Sequence, residues 1–465
     1  MISKRYENKK IGIVGFGVTG QAVAKFLISN GAEVFVYENR QESDFDQVFL
    51  NKFQDAQFYF EQDDFDPKSF DFIVVSPGLH PDSTIIQKAN KQNIPIYNDL
   101  TLFIENWREV GPIIGVTGSN GKTTVVSLLY QCLKLKKPTI LGGNIGKSPL
   151  DLIDIKHKKG TLAVLEVSSG QLEMFREEHY LDICVITNLS SNHLDRYAGK
   201  MSKYAEVKTM GINLEKTKTI ITIDDPYTLK YISPIIKRAN LTFVSLETPF
   251  DQITNDGIYT NNDGQIISKK DDLIDVCFKN PETRELVGIH NLYNIAFVLA
   301  VLKEVGVKID SSIVKVLREF RGLEHRIEKV IKKKGVTYIN DSKSTSPEAI
   351  RVALIAVGEN KNIVLIIGGR DKDMSFGFLR DVFIQKVKSL IIISGNLDKK
   401  IIKLAQSANN LEFKIVPSME EAVILAKTKT TEGDIVLLSP GSSSTDIYKN
   451  FEERGRDFKG IVKKL

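Results

Sequence analysis

The feature that most constrains the fold of this chain is a strand, a glycine-containing loop and a helix in direct succession. Residues 112–133 read PIIGVTGSNGKTTVVSLLYQCL. The apolar run before the loop predicts a buried strand, and the apolar spacing after it predicts a helix. Such a loop binds the phosphates of a nucleoside triphosphate, because its glycines let backbone N–H groups turn inward at the helix N-terminus. The alternative is an exposed lysine in an ordinary turn.

The loop departs from the strict Walker A pattern, because Val116 occupies the position of its first glycine. Phosphate and metal binding are still possible with this change. Lys122 can still reach the β- and γ-phosphates, and the Thr123 hydroxyl can join the ligands of a Mg²⁺ ion. The loop residues predicted to bind the nucleotide are Gly118, Ser119, Asn120, Gly121, Lys122, Thr123 and Thr124.

A second glycine-rich loop of different design occurs in residues 11–20, which read IGIVGFGVTG. Gly15, Gly17 and Gly20 form a GxGxxG motif directly after the first predicted strand. Glu38 ends the second strand, where a Rossmann domain has the acid that binds a ribose hydroxyl. The functional interpretation is a diphosphate at the helix N-terminus, and the alternative is a tight turn between strand and helix.

The length of the chain and its pattern of strands predict three domains. A chain of 465 residues with 42% apolar residues is too long for one core. Short apolar strands alternate with helical stretches, which is typical of α/β domains with parallel sheets. We predict an α/β protein with a Rossmann-like N-terminal domain at 1–110, a P-loop ATPase-like central domain at 111–322 and a Rossmann-like C-terminal domain at 323–465.

Charge, cysteine content and hydropathy argue against several classes of protein. The 63 Lys and Arg against 58 Asp and Glu leave a net charge of +5, without the concentrated basic surface of a nucleic-acid-binding protein. Cys132, Cys184 and Cys277 are far apart, which favours neither a disulfide framework nor a thiolate metal site. No apolar run approaches the ~20 residues of a membrane helix, and the N-terminus lacks a signal-peptide core. We expect a cytoplasmic protein that binds neither nucleic acid nor a membrane.

Two strands of the central segment lead into candidate metal ligands. TLAVLE ends at Glu166, and ICVITNLSSNHLD carries His193 and Asp195 just beyond its apolar run. Ligands collect at the carboxyl ends of parallel strands, and Mg²⁺ prefers oxygen ligands. The alternatives are a solvent-exposed Glu166 and a structural His193.

Polar residues also stand at helix starts and strand ends farther along the chain. Asn291 and Asn294 lie one turn apart in HNLYNIAFVLA and are either helix caps or contacts to adenine or ribose. DGIYTNNDGQII predicts a β-hairpin around Asp263 and Gly264. The C-terminal strands end in cations and hydroxyls suited to carboxylates or phosphates. These residues are Lys343, Thr345, Arg370, Lys372, Ser444 and Arg454.

Seven motifs together resemble the Mur ligase family, and they occur in order across all three segments. They are GVTGSNGKTT, GGNIG, LEVSSGQLE, TNLSSNHLDRY, HNLYNIAFVLA, GLEHRIE and INDSKSTSPEA. The resemblance implies a monomeric, ATP- and Mg²⁺-dependent ligase of peptidoglycan precursor synthesis. Four further motifs resemble the branch of the family whose substrates are UDP-N-acetylmuramoyl-L-alanine and D-glutamate. They are GIVGFGVTG, VVSPG, GGRDKDMSF and LLSPGSSSTDIYKNFEERG.

The resemblance also implies roles for individual residues. The residues matching the UDP-substrate site are Val18, Thr19, Glu38, Arg40, Gly78, Asn144, Ser168 and Gln171. Besides the loop, the residues matching the nucleotide site are Asn291, Asn294, Arg326, Asp341 and Lys343. The residues matching the D-glutamate pocket are Thr345, Lys372, Ser444 and Phe451. The residues implied to be catalytic are Lys122, Glu166, His193 and Lys208, and those implied at the metal are Thr123, Glu166, His193 and Lys208.

Lys208 has two interpretations. In the amphipathic helix KYAEVKTM it is by default a solvated or salt-bridged side chain. The resemblance implies instead a lysine carbamylated by CO₂, which would be an anion able to share Mg²⁺ with His193. Two other positions depart from the family pattern, since Gly170 stands where a phenylalanine is often found and Glu38 replaces a frequent aspartate.

Three alternative functions stay open from the sequence. Two are ligases: another Mur-type ligase, or an enzyme like folylpolyglutamate synthase, against which the N-terminal GxGxxG domain argues. The third is a P-loop switch or motor. The two further domains, with candidate ligands at their strand ends, argue against it.

Overall fold

The computed structural model describes residues 5–465 except for 46, 62–64, 146–147, 154–155, 191–193, 233, 235–239, 248–256, 261–265, 269–288, 321, 323, 346, 359, 371–375, 396, 409–410, 443 and 445–446. The chain forms two compact units, Met1–Phe320 and Arg321–Leu465. The first unit contains two sheets and the second contains one.

The N-terminal sheet is parallel. Its strands are β1 (Lys10–Val14), β2 (Glu33–Glu38), β3 (Ala56–Phe60), β4 (Phe72–Val75) and β5 (Ile96–Tyr97). They lie in the order β3-β2-β1-β4-β5. The order reverses between β1 and β4, so the loops after these two strands border the crevice in which ligands bind in such sheets. The accompanying helices are α1 (Val18–Ser29), α2 (Gln47–Leu50), α3 (Thr84–Lys91) and α4 (Asp99–Trp107).

The central sheet is parallel except at one edge. Its strands are β6 (Ile113–Thr117), β7 (Thr139–Gly143), β8 (Leu162–Glu166), β9 (Ile183–Ile186), β10 (Lys218–Thr222), β11 (Asn240–Ser245), β12 (Gly257–Thr260) and β13 (Ile266–Ser268). They lie in the order β13-β12-β11-β10-β9-β6-β8-β7. The antiparallel pairing of β12 with β13 confirms the predicted hairpin, although Asp263 and Gly264 lie outside the described residues.

Helices cover the central sheet on both faces. Val125, Leu129 and Phe297 are buried in one hydrophobic cluster with the sheet residues Val116 and Val185. Strands buried on both faces read as continuous apolar runs, which explains sequences such as ICVI and LAVL. The helices are α5 (Lys122–Leu133), α6 (Ser169–Leu172), α7 (Met201–Thr209), α8 (Pro226–Tyr231), α9 (Ile289–Glu304) and α10 (Ser311–Glu319).

The second unit has one sheet with an antiparallel edge. Its strands are β14 (Glu328–Lys333), β15 (Val336–Asn340), β16 (Ile363–Gly368), β17 (Val387–Ile393), β18 (Phe413–Val416) and β19 (Ile435–Leu438). They lie in the order β14-β15-β19-β16-β17-β18, with only β14 antiparallel to its neighbour among these strands. The helices are α11 (Pro347–Val357), α12 (Arg380–Lys386), α13 (Asp398–Ser407), α14 (Met419–Lys429) and α15 (Phe451–Lys464).

These sheets confirm the predicted α/β class, and each lies within one of the predicted ranges 1–110, 111–322 and 323–465. The limits of the domains stay predictions. Within the described part of the chain, no helix is long and apolar enough to cross a membrane.

Candidate active site

The loop between β6 and α5 requires glycine at two positions. Gly118 has φ +128° and Gly121 has φ +84°, both in the left-handed region that side chains avoid. A Cβ atom would lie 2.2 Å from Thr187 Oγ1 at Gly118 and 2.5 Å from Asn294 Oδ1 at Gly121. Any larger residue would therefore displace both the loop and its neighbours.

Residues that follow β9 hold the loop in shape. Thr187 Oγ1 donates a hydrogen bond to Asn120 O at 2.6 Å, and Asn120 N donates to Asn188 Oδ1 at 3.1 Å. Ser190 N donates to Ser119 Oγ at 2.8 Å. The loop is thus preorganised at the N-terminus of α5, where backbone N–H groups favour an anion.

Lys122 lies over this loop. Its Nζ donates hydrogen bonds to Gly118 O at 2.8 Å and to Ser119 O at 2.9 Å. Thr123 is buried and Thr124 is half-buried in the first turn of α5. The ammonium group is therefore fixed beside the loop that would hold the phosphates.

Glu166, at the end of β8, offers an unsatisfied carboxylate oxygen. Its side chain is 4% exposed, and Oε1 accepts a hydrogen bond from Asn144 Nδ2 at 3.1 Å. Oε2 is buried without a hydrogen-bond partner among the described residues. A buried anionic oxygen without a partner is costly, so this position fits a cation. The alternative of a solvent-exposed Glu166 is wrong.

Lys208 is almost fully buried, at 2% exposure on α7. Its Nζ donates a hydrogen bond to Thr117 Oγ1 at 2.9 Å and lies 5.1 Å from the centre of the Tyr204 ring. Burial, and next the positive charge of Lys122, hold the pKa of Lys208 well below its usual range. The interpretation of Lys208 as a solvated helical lysine is therefore wrong.

The two asparagines of α9 do lie on one helix face. Asn294 Nδ2 donates a hydrogen bond to Asn291 Oδ1 at 3.0 Å, and Asn294 is buried against Gly121 of the phosphate loop. Both lie inside α9 instead of at its N-cap. This placement beside the loop favours the nucleotide interpretation over the cap.

The glycine-rich loop of the N-terminal sheet forms a tight turn. Gly15 has φ +90°, and a Cβ on Gly20 would lie 2.1 Å from Gly15 O. Gly17 is the N-cap of α1 and supplies no side-chain cap, and Val18 is 70% exposed. The N-terminus of α1, with Thr19 in its first turn, is thus open to a diphosphate.

Glu38 holds this loop. Its Oε2 accepts a hydrogen bond from Phe16 N at 2.7 Å, and its Oε1 accepts from Arg40 N and Arg40 Nε, both at 3.1 Å. Burial alone would raise the pKa of Glu38, but hydrogen bonds from Arg40 and Phe16 outweigh it and lower the pKa to about 2. The Arg40 guanidinium lies 4.5 Å from the centre of the Phe45 ring. Both carboxylate oxygens are therefore engaged in shaping the loop, and direct substrate binding by Glu38 stays a prediction.

The other predicted substrate residues occupy two settings. Gly78 is exposed in the loop after β4. Ser168 is the N-cap of α6 and accepts a hydrogen bond from Gln171 N at 3.2 Å. Gln171 is 2% exposed, with Asn98 Nδ2 donating to its carbonyl at 2.7 Å and its own Nε2 donating to Asp99 Oδ1 at 3.3 Å. Gln171 therefore joins α6 to α4, a structural role that its sequence motif did not suggest.

In the second unit, two loops after neighbouring strands carry the predicted residues. Asp341, just after β15, is buried, and Oδ2 accepts a hydrogen bond from Ser439 Oγ at 2.8 Å. Burial raises the pKa of Asp341 to about 7. Arg454 donates from Nε to Ser342 Oγ at 3.0 Å and from Nη2 to Ser442 O at 3.2 Å, which ties the two loops together.

The structure describes most, but not all, of the remaining predicted site residues. Lys343 Nζ lies 5.9 Å from the centre of the Phe451 ring, Ser444 is buried, and Thr345 is half-buried.

Arg370 is exposed after β16. Arg326 is close enough to Asp341 for its charge to favour the ionised carboxylate. His193, Lys372 and the side chain of Asp195 lie outside the described residues.

The structure also shows contributors that sequence reasoning missed. Thr117 and Thr187 are hydroxyl residues at the carboxyl ends of β6 and β9. Thr117 accepts a hydrogen bond from Lys208, and Thr187 donates one to Asn120 of the phosphate loop. Their position directly after apolar runs was the available signal. Asp99 gave no such signal, because its partners Gln171 and Ser148 are distant in sequence.

Comparison with family models gives three matches along the chain. Residues 9–98 match the Mur ligase MurD-like N-terminal domain, residues 116–302 match the Mur ligase middle domain, and residues 325–441 match the Mur ligase glutamate ligase domain.

Individual relatives match over nearly the whole length. The chain is 33% identical over 465 residues to a UDP-N-acetylmuramoylalanine–D-glutamate ligase of Lachnospira eligens, covering 99% of each chain. Among solved structures, it is similar in fold to a UDP-N-acetylmuramate-alanine ligase of Thermotoga maritima, with a TM-score of 0.57, 19% identity and coverage of 98% of this chain and 100% of the other. It is also similar in fold to the MurF ligase of Thermotoga maritima in complex with ADP, with a TM-score of 0.54, 17% identity and coverage of 100% and 97%.

Proposed function

Because the chain belongs to the Mur ligase family, we infer that it is an ATP-dependent ligase that joins D-glutamate to UDP-N-acetylmuramoyl-L-alanine in peptidoglycan precursor synthesis. The observation that carries this inference is the 33% identity across 99% of both chains to a ligase named for this reaction. The similarity includes the N-terminal domain, to which we assign the UDP-sugar, and the C-terminal domain, to which we assign D-glutamate.

The reaction proceeds in two steps. The substrate carboxylate attacks the γ-phosphorus of ATP, which forms an acyl phosphate and releases ADP. The amine of D-glutamate then attacks the acyl carbon, and the carbon–oxygen bond breaks to release phosphate and leave an amide. The two glycine-rich loops divide the binding between them, since the loop at Gly15 would hold the UDP diphosphate and the loop at Gly118 would hold ATP.

We assign ATP to the preorganised loop after β6. The loop lies at the N-terminus of α5, Lys122 is held beside it and would neutralise charge on the transferring phosphoryl group, and Asn294 lies beside Gly121. The assignment of Arg326, Asp341 and Lys343 to the nucleotide stays a prediction from their motifs.

The residues around Glu166 fit a Mg²⁺ ion. Glu166 Oε2 is a buried carboxylate oxygen without a partner among the described residues, and hard cations prefer oxygen ligands. We propose that Thr123, Glu166, His193 and a carbamylated Lys208 would hold the ion. When bound, Mg²⁺ would neutralise charge on the phosphate oxygens during transfer.

Carbamylation of Lys208 is supported by its surroundings. Attack on CO₂ requires a neutral amine, and the buried Nζ of Lys208 faces the hydroxyl of Thr117 and the charge of Lys122. The product would be an anion, which the Lys122 charge favours. The modified side chain would then supply oxygen atoms beside Glu166.

The inference is tested by the substrate requirement for phosphate release from ATP. We expect release only when UDP-N-acetylmuramoyl-L-alanine and D-glutamate are both present, with L-glutamate as the matched control. A P-loop switch would hydrolyse ATP without either substrate, and another Mur-type ligase would prefer a different amino acid. A monomeric state and a cytoplasmic location stay predictions.

A further inference from the structure

The loop of residues 76–79, after β4, is held by an arginine from the central part of the same compact unit. Arg196 lies in the short 3₁₀ turn Leu194–Tyr197 that follows β9. Its Nη2 donates a hydrogen bond to Leu79 O at 2.7 Å, and its Nη1 donates to Gly78 O at 3.4 Å. One side chain of the ATP-binding part therefore binds the backbone of a loop that carries a predicted UDP-substrate residue.

Arg196 is itself fixed by Glu173. Its Nε donates to Glu173 Oε1 at 2.8 Å, and its Nη2 donates to Glu173 Oε2 at 2.6 Å. The side chains are only 17% and 5% exposed, and Tyr197 OH also donates to Glu173 Oε1 at 2.7 Å. A two-point pair of this kind fixes the plane of the guanidinium, which a lysine cannot do.

Gly170 gives the loop room to approach. A Cβ on Gly170 would lie 2.5 Å from Pro77 O and 3.6 Å from Arg196 Nη2. The requirement for glycine comes from this contact alone, because the φ of Gly170 lies outside the left-handed region. The loop thus packs directly on the backbone of α6, two residues after Ser168.

The same loop also contacts the glycine-rich loop of the N-terminal sheet. Ser76 Oγ donates a hydrogen bond to Gly15 O at 3.4 Å, and a Cβ on Gly15 would lie 2.8 Å from Ser76 Oγ. A continuous set of contacts therefore runs from Arg196 through residues 76–79 to the predicted diphosphate loop.

We propose that Arg196, braced by Glu173 and given room by Gly170, positions loop 76–79 and thereby sets the UDP-sugar substrate relative to the ATP loop. This role rests on the proposed function. Arg196 acts through the backbone of the loop, so it is a positioning residue. Loss of its contacts should weaken use of the UDP-sugar substrate while leaving ATP binding intact, because the ATP loop is held separately by Thr187, Asn188 and Ser190.

The first test replaces Arg196 with Met and with Lys in the full chain, and the control is Arg176→Met, at an exposed arginine three residues after Glu173 in the sequence. For Arg196→Met we expect kcat/KM for UDP-N-acetylmuramoyl-L-alanine to fall about tenfold, the factor that a hydrogen bond to a charged group is commonly worth. The KM for ATP should stay within about twofold, and Arg196→Lys should fall between the parent and Met. Equal changes for both substrates, or no difference from Arg176→Met, would overturn the proposal.

The second test, Gly170→Ala, displaces the loop without changing any charge, and Gly460→Ala is its control because a Cβ there meets nothing within 4 Å. Gly170→Ala should reproduce the selective loss for the UDP-sugar substrate, with thermal unfolding measured alongside. A parent-like Gly170→Ala would refute the positioning role even if Arg196→Met failed to fold. If the parent chain itself released phosphate without both substrates, the proposed function would fail instead, so the two failures are distinguishable.

Discussion

The Nζ atom of Lys208 lies 2.9 Å from the Oγ1 atom of Thr117, the last residue of the strand that enters the phosphate loop. A lysine of a surface-like helix sequence is thereby placed inside the site, where burial and the charge of Lys122 lower its pKa and the charge of Glu166 raises it. An unmodified ammonium ion there would repel a divalent cation, whereas a carbamate would bind it.

We therefore predict that Lys208→Ala loses most ligase activity and that added short-chain carboxylates, such as acetate, restore part of it by occupying the vacated volume beside the metal. The control is Lys203→Ala, which removes an exposed lysine from the same helix α7 and should leave activity unchanged. Rates are measured over a Mg²⁺ titration. Normal turnover, or an unchanged Mg²⁺ dependence in Lys208→Ala, would contradict the modified-lysine role.

The separation of the two phosphate loops predicts a selective effect of Lys122→Ala. Ligation should fall by roughly 10²-fold or more, the usual effect of removing one group that stabilises transition-state charge. Binding of the UDP-sugar substrate, measured by calorimetry, should stay within about twofold, because its predicted loop at Gly15 belongs to another sheet. Lys134→Ala, an exposed lysine just after α5, is the control. A comparable loss of affinity for ATP and UDP-sugar would refute this division.

The predicted amino-acid pocket is tested by Ser444→Ala and Lys372→Ala. Ser444 is buried among the strand-end loops of the second unit, and Lys372, which lies outside the described residues, is assigned by its motif. Each variant should raise the KM for D-glutamate about tenfold or more, because hydrogen bonds to a carboxylate are worth about 1.5–3 kcal/mol. The KM for ATP should change less, and Ser407→Ala, on α13, should change neither. Equal effects on both KM values would remove these residues from the pocket.

The fold was predictable because its signals are local. Apolar runs such as LAVLE and ICVI can be recognised one strand at a time, and the glycines of the phosphate loop are read directly from their spacing. The hairpin of β12 and β13 was predictable for the same reason.

The surroundings of single side chains were less predictable, because they depend on contacts between distant segments. Lys208 is buried and donates a hydrogen bond to Thr117, 91 positions away, and nothing within its helix sequence indicates that partner. Glu38 ends its strand as predicted, but its carboxylate is occupied by Phe16 and Arg40. Gly170 departs from the family pattern, and only the approach of Pro77 shows what its missing side chain permits.

The stability of the folded chain should depend on pH through the titration of Asp341. Its folded-state pKa of about 7 lies above the value of 3.8 expected for an exposed carboxyl, because burial outweighs the hydrogen bonds from Ser439 and Ile327. Between these two pKa values the folded chain holds a proton that the unfolded chain has released. Rising pH therefore lowers the free energy of unfolding, by up to about 1.4 kcal/mol per pH unit, and the loss levels off above pH ~7.

Asp341→Asn removes this titration while keeping the shape of the side chain. We subtract the free energy of unfolding of Asp341→Asn from that of the parent, both measured without ATP. We expect this difference to fall as pH rises from about 5 to 7 and then to become constant. Denaturant unfolding of the full chain at several pH values, followed by a probe in the second unit, measures this difference. Parallel curves for the two proteins would mean that Asp341 is ionised throughout this range, and the carboxylate would then need a cationic partner in the folded protein.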